Sequence, residues 1–340
     1  MVIMTKTQSL KSTVTFEQIE KPVVIPQIMA HAAVLNNVSV KEYLTNGKTF
    51  AKCQLNALKY YDHDALFAFF DLGLETEALG SQMVYPENNY PNIKQHAIQK
   101  STDISQLRLP KINEAGRIPQ LLEAIRIMKA DVGSEVPIIG CFSGPMTILT
   151  QMMGLEKALF LAVDELEHFL KLLDFTSLFA AELVKLMISS GVRVPVLFDP
   201  SASPEIIPPQ FFREFLQPKI REIFVETKKA GCLYNWLNIT GNITPIFQYV
   251  KIPEVDMLNI DYPVDPVEAA DTIKDICIDG NIKPLSFQEE SEQFIYDESK
   301  RLLKIFKHRK GFILSSGCEI PFYSKPENVK AMVEAANSWV

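Results

Sequence analysis

Residues 231–246 read "GCLYNWLNITGNITPI". A short apolar run ends at Leu237 and meets a polar turn, Asn238 to Asn242. Nearly continuous apolar runs of this kind suit strands buried on both faces, as in a parallel sheet. Comparable runs, rich in β-branched and aromatic residues, occur at 23–28 (VVIPQI), 65–71 (ALFAFFD), 136–145 (VPIIGCFSGP), 194–200 (VPVLFDP), 255–261 (VDMLNID), 276–281 (ICIDGN) and 311–317 (GFILSSG). Helical patterns lie between most of them, such as "IPQLLEAIRIMKA", "PPQFFREFLQPKIREIFVETKKAG", "DPVEAADTIKD" and "PENVKAMVEAANSW". Pro209 and Pro266 fall near helix starts, where a missing N–H costs little. About eight strand–helix units predict an α/β fold, a single (β/α)8 TIM barrel over residues 1–340. A doubly wound sheet alternates in the same way and is the other possibility. The Pro/Asn-rich stretch at 81–110 reads as an insertion after the second strand that covers one end of the barrel, and the residues before 23 as an N-terminal extension.

In such a barrel the chemistry sits at the C-terminal ends of the strands. Those ends carry Asp71, Ser143, Asp199, Asn238, Asp261, Asn281 and Cys318. The set is polar and acidic. Thr240 lies two residues beyond Asn238 and points the same way if the backbone stays extended. "GNITP" and "GNIKP" lack the glycine spacing of a phosphate loop, so no nucleotide cofactor is indicated. The five histidines, His31, His63, His96, His168 and His308, are not placed as the base of a Ser/His/Asp arrangement.

Composition excludes other classes. Net charge is −7 with dispersed Lys and Arg, so no nucleic-acid footprint is present. The five cysteines are an odd number and widely spaced, which predicts reduced thiols and a cytoplasmic protein. The N-terminus lacks the pattern of a signal peptide, and no run is long enough to span a bilayer. The apolar-rich stretch 159–191 is broken by charge at helical spacing and reads as one or two amphipathic helices.

Seven stretches, in order, carry a resemblance: "IPQIMAHAAVLNNVSVKEYL", "DLGLETEALG", "GPMTILTQMMG", "FDPSASPEIIPPQFFREFLQP", "NITGNITPI", "IDGNIKP" and "SSGCEIPFYSKPENVKAMVEA". Together they resemble the uroporphyrinogen decarboxylase superfamily, in particular its branch of corrinoid-dependent methyltransferases. The resemblance implies a barrel with a funnel at its C-terminal face, often a homodimer. It also implies methyl transfer between a corrinoid protein bearing methylcobalamin and a small O-, N- or pterin-type substrate. In the thiol-methylating members the turn after strand five reads His-x-Cys-Gly-Asn, and a Cys after strand eight completes a zinc site. Here Asn238 and Thr240 stand at the first two positions, and Cys318 is retained. A neutral amide and a hydroxyl are very poor zinc ligands, so no zinc is expected.

The resemblance puts Asn238 in a catalytic, orienting role, with Asp199 or Asp261 as the acid if burial raises its pKa. It makes His31, Asp71, Glu77, Ser143, Thr240, Asn281 and Cys318 candidate substrate contacts. Each has a structural reading beside it: Asn238 and Asn281 as turn residues, Asp199 and Asp261 as turn caps, Cys318 as a small buried residue, Glu77 as a solvated helix position. Decarboxylases of the superfamily hold substrate carboxylates with an N-terminal arginine, and residues 23–37 contain none. A decarboxylase-like lyase and a non-catalytic relative that binds a corrinoid protein are the alternatives.

Overall fold

In the computed structural model, which describes residues 4–339, the strands are β1 (Leu66–Ala68), β2 (Gln82–Val84), β3 (Asn92–Gln95), β4 (Ile138–Ser143), β5 (Val194–Phe198), β6 (Trp236–Asn238), β7 (Met257–Ile260), β8 (Cys277–Ile282) and β9 (Phe312–Ser316). Seven of them form one parallel sheet in the order β1-β4-β5-β6-β7-β8-β9. Spatial order follows chain order, as in a barrel and unlike a doubly wound sheet, whose strand order reverses. β2 and β3 pair antiparallel, with a register shift at Gln82/Met83, inside the stretch read as an insertion.

The first apolar run, 23–28, is reduced to a single parallel bridge between Val24 and Leu314. Pro22 and Pro26 flank it, and a residue without an N–H cannot extend a ladder. The bridge nonetheless reaches both edges of the sheet. On the β9 side Ile25 N donates to Leu314 O at 2.9 Å and Leu314 N to Val23 O at 2.9 Å. On the β1 side Asp64 N donates to Val24 O at 2.9 Å.

Side-chain alternation divides the apolar residues into two cores. Val23, Ile25, Phe67, Ile139, Cys141, Val194, Val196, Trp236, Met257, Cys277 and Ile313 pack inside the curl of the sheet. Leu66, Ile138, Leu197, Leu237, Leu258, Ile278 and Leu314 face the surrounding helices. Asp71, Ser143, Asn238, Asn259, Asp261, Asp279 and Asn281 share the numbering parity of the inner set on their own strands.

The helices fall close to their expected places: Ile118–Val132, Pro266–Thr272 and Pro326–Asn337, with 159–191 forming parts of two helices, Leu155–Asp164 and Leu166–Ser190. One departure is local. The predicted helix from Pro208 breaks into Pro209–Phe211, a π-turn at Phe212–Leu216, and Gln217–Lys229. Pro218 offers no N–H to the carbonyl four residues back and its ring crowds that carbonyl, so the helix widens just ahead of it.

Candidate active site at the strand ends

A cavity of about 440 Å³ lies between the strand ends and the β2–β3 hairpin. Phe69, Asp71 and Leu72 beyond β1, Phe198 on β5 and Glu319 beyond β9 form one wall; Met83 and Tyr90–Ile93 of the hairpin form the other. Phe69 and Phe198 meet edge to face with centroids 6.0 Å apart. A larger depression, about 620 Å³, lies outside the sheet between the helix Gln217–Lys229 and Ile252, and none of the strand-end groups borders it.

Asp71 is not free. Arg117 grips it with two nitrogens, Nη1 to Oδ2 at 2.6 Å and Nη2 to Oδ1 at 3.1 Å. The same guanidinium bonds Glu77 Oε2 at 2.7 Å and Leu44 O at 3.0 Å, and Glu77 Oε1 accepts from Tyr85 OH at 2.5 Å. Two carboxylates share one cation, so the cluster keeps a net negative charge. Sequence reasoning missed Arg117. A signal was present: Arg117 immediately precedes the helix Ile118–Val132, where a cation opposes the helix dipole unless acids surround it.

Ser143 is held by Glu75, which accepts from its N–H at 2.8 Å and its hydroxyl at 2.9 Å. Burial pushes the Glu75 carboxyl up to about 7, against the pull of these donors. Glu75 was not foreseen either.

Asp199 is fully buried and resolves in favour of its capping reading. Its carboxylate accepts from Thr147 N at 2.7 Å, Thr147 Oγ1 at 2.6 Å and Met146 N at 3.3 Å. Gly144, at the N-cap of the helix Pro145–Met153, has no side chain to cap with, and a Cβ there would stand 2.4 Å from the Asp199 carboxyl. Burial lifts Asp199 to about 6, but with 0% exposure it does not reach the cavity. As placed, its carboxylate caps the helix Pro145–Met153.

Asp261 braces the turn after β6. Its Oδ2 accepts from Gly241 N at 2.9 Å and its Oδ1 from Tyr262 N at 2.7 Å. Gly241 has φ +83°, a left-handed conformation suited to glycine. Burial raises the Asp261 pKa and nearby Glu205 adds to it. Asn281 lies within β8 rather than in a turn, and its Nδ2 donates to Val264 O at 2.8 Å and Asp261 O at 3.3 Å.

His31 opens the helix His31–Leu35 and is 1% exposed. A carbonyl only accepts, so its Nδ1 donates to Phe322 O at 3.0 Å and its Nε2 accepts from Tyr61 OH at 2.8 Å. Burial lowers its pKa. With both nitrogens used, His31 links the loop at Phe322 to Tyr61.

Asn238 ends β6 with its Oδ1 buried and unpartnered; Asn259 Oδ1 on β7 and Asp279 Oδ1 on β8 are in the same state. Asn259 Nδ2 donates to Asp279 Oδ2 at 2.7 Å. Burial pushes Asp279 up to about 7. Such orphaned acceptors on one inner face suit a site that takes donors from water or ligand. Thr240 is half-buried just beyond. Cys318 is a free, half-buried thiol that burial pushes up to about 12. Among the described residues no three His, Cys, Asp or Glu side chains converge as metal ligands. An amide, a hydroxyl and a single thiol do not fit a zinc ion.

The last strand-end group is Glu319, next to Cys318 in a quoted motif yet not singled out from sequence. Its Oε1 accepts from Ala30 N at 3.2 Å and from Tyr90 OH of the hairpin. Burial raises its carboxyl to about 7.

Comparison with known proteins gives the chain its relatives. The family model described as uroporphyrinogen decarboxylase (URO-D) matches residues 5–339. Methylcobamide:CoM methyltransferase MtbA of Methanosarcina acetivorans is 29% identical over 79% of this chain and 78% of its own length. Methylcobamide:CoM methyltransferase MtaA of Methanosarcina barkeri is 26% identical over 87% of this chain and 86% of its own. A solved methyltransferase from Methanosarcina mazei has the same fold, with TM-score 0.90 at 24% identity over 98% of this chain and 99% of that one.

Proposed function

The chain belongs to the uroporphyrinogen decarboxylase family, and from that premise we propose that it is a corrinoid-dependent methyltransferase. It moves a methyl group between a corrinoid carried by a separate protein and a small O-, N- or pterin-type molecule held at the strand ends. The observation that carries this reading is the likeness to methylcobamide methyltransferases, which extends over 79% and 87% of the chain. The corrinoid, when bound, supplies the cobalt centre that exchanges the methyl. This chain's residues align donor and acceptor, the main requirement of an in-line displacement.

The enzyme works without zinc, because the three positions that would hold the metal offer an amide at Asn238, a hydroxyl at Thr240 and a single thiol at Cys318. Asn238 orients the small substrate from the sheet's inner face, and Thr240 assists at the turn. The architecture is a (β/α)8 barrel in which Val23–Ile25 stands as the first strand, the β2–β3 hairpin is an insertion over the mouth, and residues 4–22 are an N-terminal extension. Five free cysteines favour a reducing, cytoplasmic setting. The reading extends to a homodimer.

A porphyrinogen decarboxylase is disfavoured by the cavity itself. A substrate with many carboxylates needs unpaired cations. No Lys or Arg lines this cavity, and the nearby Arg117 is taken by Asp71 and Glu77.

The test mixes purified protein with cobalamin in its reduced and methylated forms and a panel of methyl ethers, amines and pterins, following the cobalamin spectrum. Methyl transfer with one donor or acceptor class is expected, from protein containing far less than one zinc per chain. Asn238→Ala is expected to slow transfer by about ten- to a thousandfold, with stability changed by no more than about 1 kcal/mol. Carbon dioxide release from a porphyrinogen without methyl transfer overturns the reading. Stoichiometric zinc overturns its metal-free part.

A further inference from the structure

A layer of polar side chains crosses the inner face of the sheet near the strand ends. Asn259 on β7 pairs in register with Asp279 on β8, and Leu237 with Leu258, which sets Asn238 of β6 at the level of Asn259. Trp236 lies one inward step deeper on β6. All four are at most 2% exposed. Asn259 Nδ2 donates to Asp279 Oδ2 at 2.7 Å. Four polar atoms of the layer then have no protein partner: Asn238 Oδ1, Asn259 Oδ1, Asp279 Oδ1 and Trp236 Nε1. With Asp279 ionised these are three acceptors against one donor, around a buried charge. A proton on Asp279 Oδ1 makes them two donors and two acceptors, and unmatched buried groups are what the fold is penalised for. Asn238 Nδ2 is neither bonded nor among the wholly buried unpartnered atoms, so it faces open space at the strand end.

We propose that Asp279 is a positioning residue for the methyl transfer, carrying the proton that completes this layer and so fixing which end of the Asn238 amide meets the small molecule. This rests on the methyltransferase reading, in which Asn238 orients that molecule. While the proton is on Asp279, Asn238 Oδ1 stays turned into the layer. Its Nδ2 is then presented as a donor to the oxygen or nitrogen that exchanges the methyl. When the proton leaves, Asp279 Oδ1 becomes an acceptor and draws the Trp236 N–H. Asn259 Oδ1 is left short of a donor, and the Asn238 amide turns to supply Nδ2 from the neighbouring strand. The strand end then offers an acceptor where it had offered a donor. Burial, the largest influence, raises Asp279 to about 7, while Asn259, Trp236 and Ser315 pull it down. The Ser315 hydroxyl on β9 is committed to Ile25 O at 2.8 Å. The titratable groups coupled to the Asp279 charge are the thiols of Cys141 on β4, Cys277 on β8 and Cys318 beyond β9. Burial pushes all three up, so none brings a charge into the layer.

Two readouts test it. Protein isotopically labelled in its asparagine side chains is titrated by NMR between about pH 5.5 and 8.5, a range that brackets a group near 7. The Asn238 side-chain signal, identified by its loss in Asn238→Ala, is expected to shift with a midpoint of about 7. It is expected to stay fixed in Asp279→Asn, whose amide is a permanent donor. In the cobalamin assay the wild-type rate is expected to fall about tenfold between about pH 6 and 8, as loss of one proton near 7 requires. Asp279→Asn is expected to keep most of the low-pH rate and lose that fall, and Asp279→Ala to be slow throughout. Asn259→Ala cuts the link and should also fix the Asn238 signal, which keeps the test decisive if Asp279→Asn does not fold. An Asn238 signal that ignores pH in the wild type, or that moves equally in Asp279→Asn, overturns the proposal. So does Asp279→Asn protein as slow as Asp279→Ala. Methyl transfer with the same pH profile in wild type and Asp279→Asn overturns it and leaves the methyltransferase reading intact. A pH-coupled Asn238 amide in protein that exchanges no methyl with cobalamin supports it and removes that reading.

Discussion

Arg117 lies 2.6 Å from Asp71 and 2.7 Å from Glu77, and its side chain is 7% exposed. Removing it leaves buried Asp71 without its cation, with the partly exposed Glu77 carboxylate close by. Arg117→Leu is therefore expected to cost about 3–5 kcal/mol, measured by urea denaturation. Lysine cannot reproduce the two-pronged grip and should restore only part of that. An unchanged midpoint in Arg117→Leu would mean the cluster is hydrated and weak. Asp279 makes a prediction of opposite character. Burial raises it to about 7 in the folded chain, while an unfolded aspartate titrates near 4. Between those values the folded state holds a proton the unfolded state has lost. Stability from this group is full below about pH 4 and is lost as pH rises through 7. Glu75, also raised to about 7, acts in the same sense. Asp279→Asn should flatten the fall in stability between pH 5 and 8 by more than about 1 kcal/mol. An unaltered profile would place the proton elsewhere.

At the scale of elements, the helix Pro145–Met153 is capped from outside its own sequence. Its second and third N–H groups point at Asp199, which follows β5, and its own N-cap residue is Gly144. This ties the start of one helix to the end of the neighbouring strand. Asp199→Ala should cost about 1–3 kcal/mol, combining a lost cap with orphaned buried N–H groups. Gly144→Ser alone should also destabilise, since its Cβ would stand 2.4 Å from the carboxyl. In the Asp199→Ala background the same serine has room and can cap the helix itself. Thermal melts of the two single variants and the double variant measure this; simple additivity would disprove the exchange. Asp261 does related work for the turn after β6, so two of the three acids at the parallel strand ends first read as chemical hold backbone in place. The third, Asp71, is held by Arg117. A strand-end aspartate looks the same in sequence whether it faces a ligand or a neighbouring N–H.

For the whole molecule, the decisive contact is the one that joins the two edges of the sheet. Val24 is bridged to Leu314 on one side and to Asp64 on the other, where Asp64 Oδ2 also accepts from Val24 N at 2.8 Å. Asp64→Ala leaves that buried N–H without a partner, at a cost of about 1–3 kcal/mol. Amide hydrogen exchange at Val24 and Leu314 should speed up before that of the central strands β5 and β6. Uniform exchange across all strands in the variant would show that the bridge does not govern opening.

The sequence by itself determined most of the parallel strands and the helices between them, while their order around the sheet waited for the fold. The strands follow from local runs of apolar residues, which chain neighbours alone dictate. It also determined the absence of metal-ligand side chains at 238 and 240, since chemistry of that kind is a matter of residue identity. Only the tertiary structure decided which polar groups are free. Arg117 reaches Asp71 across 46 residues and Glu75 reaches Ser143 across 68, distances over which no sequence pattern pairs an acid with its partner. Glu319 became a candidate only when the hairpin's Tyr90 took one of its oxygens and left the other open. Hydrogen-bond capacity is consumed by whatever packs nearby, and that is a property of the fold.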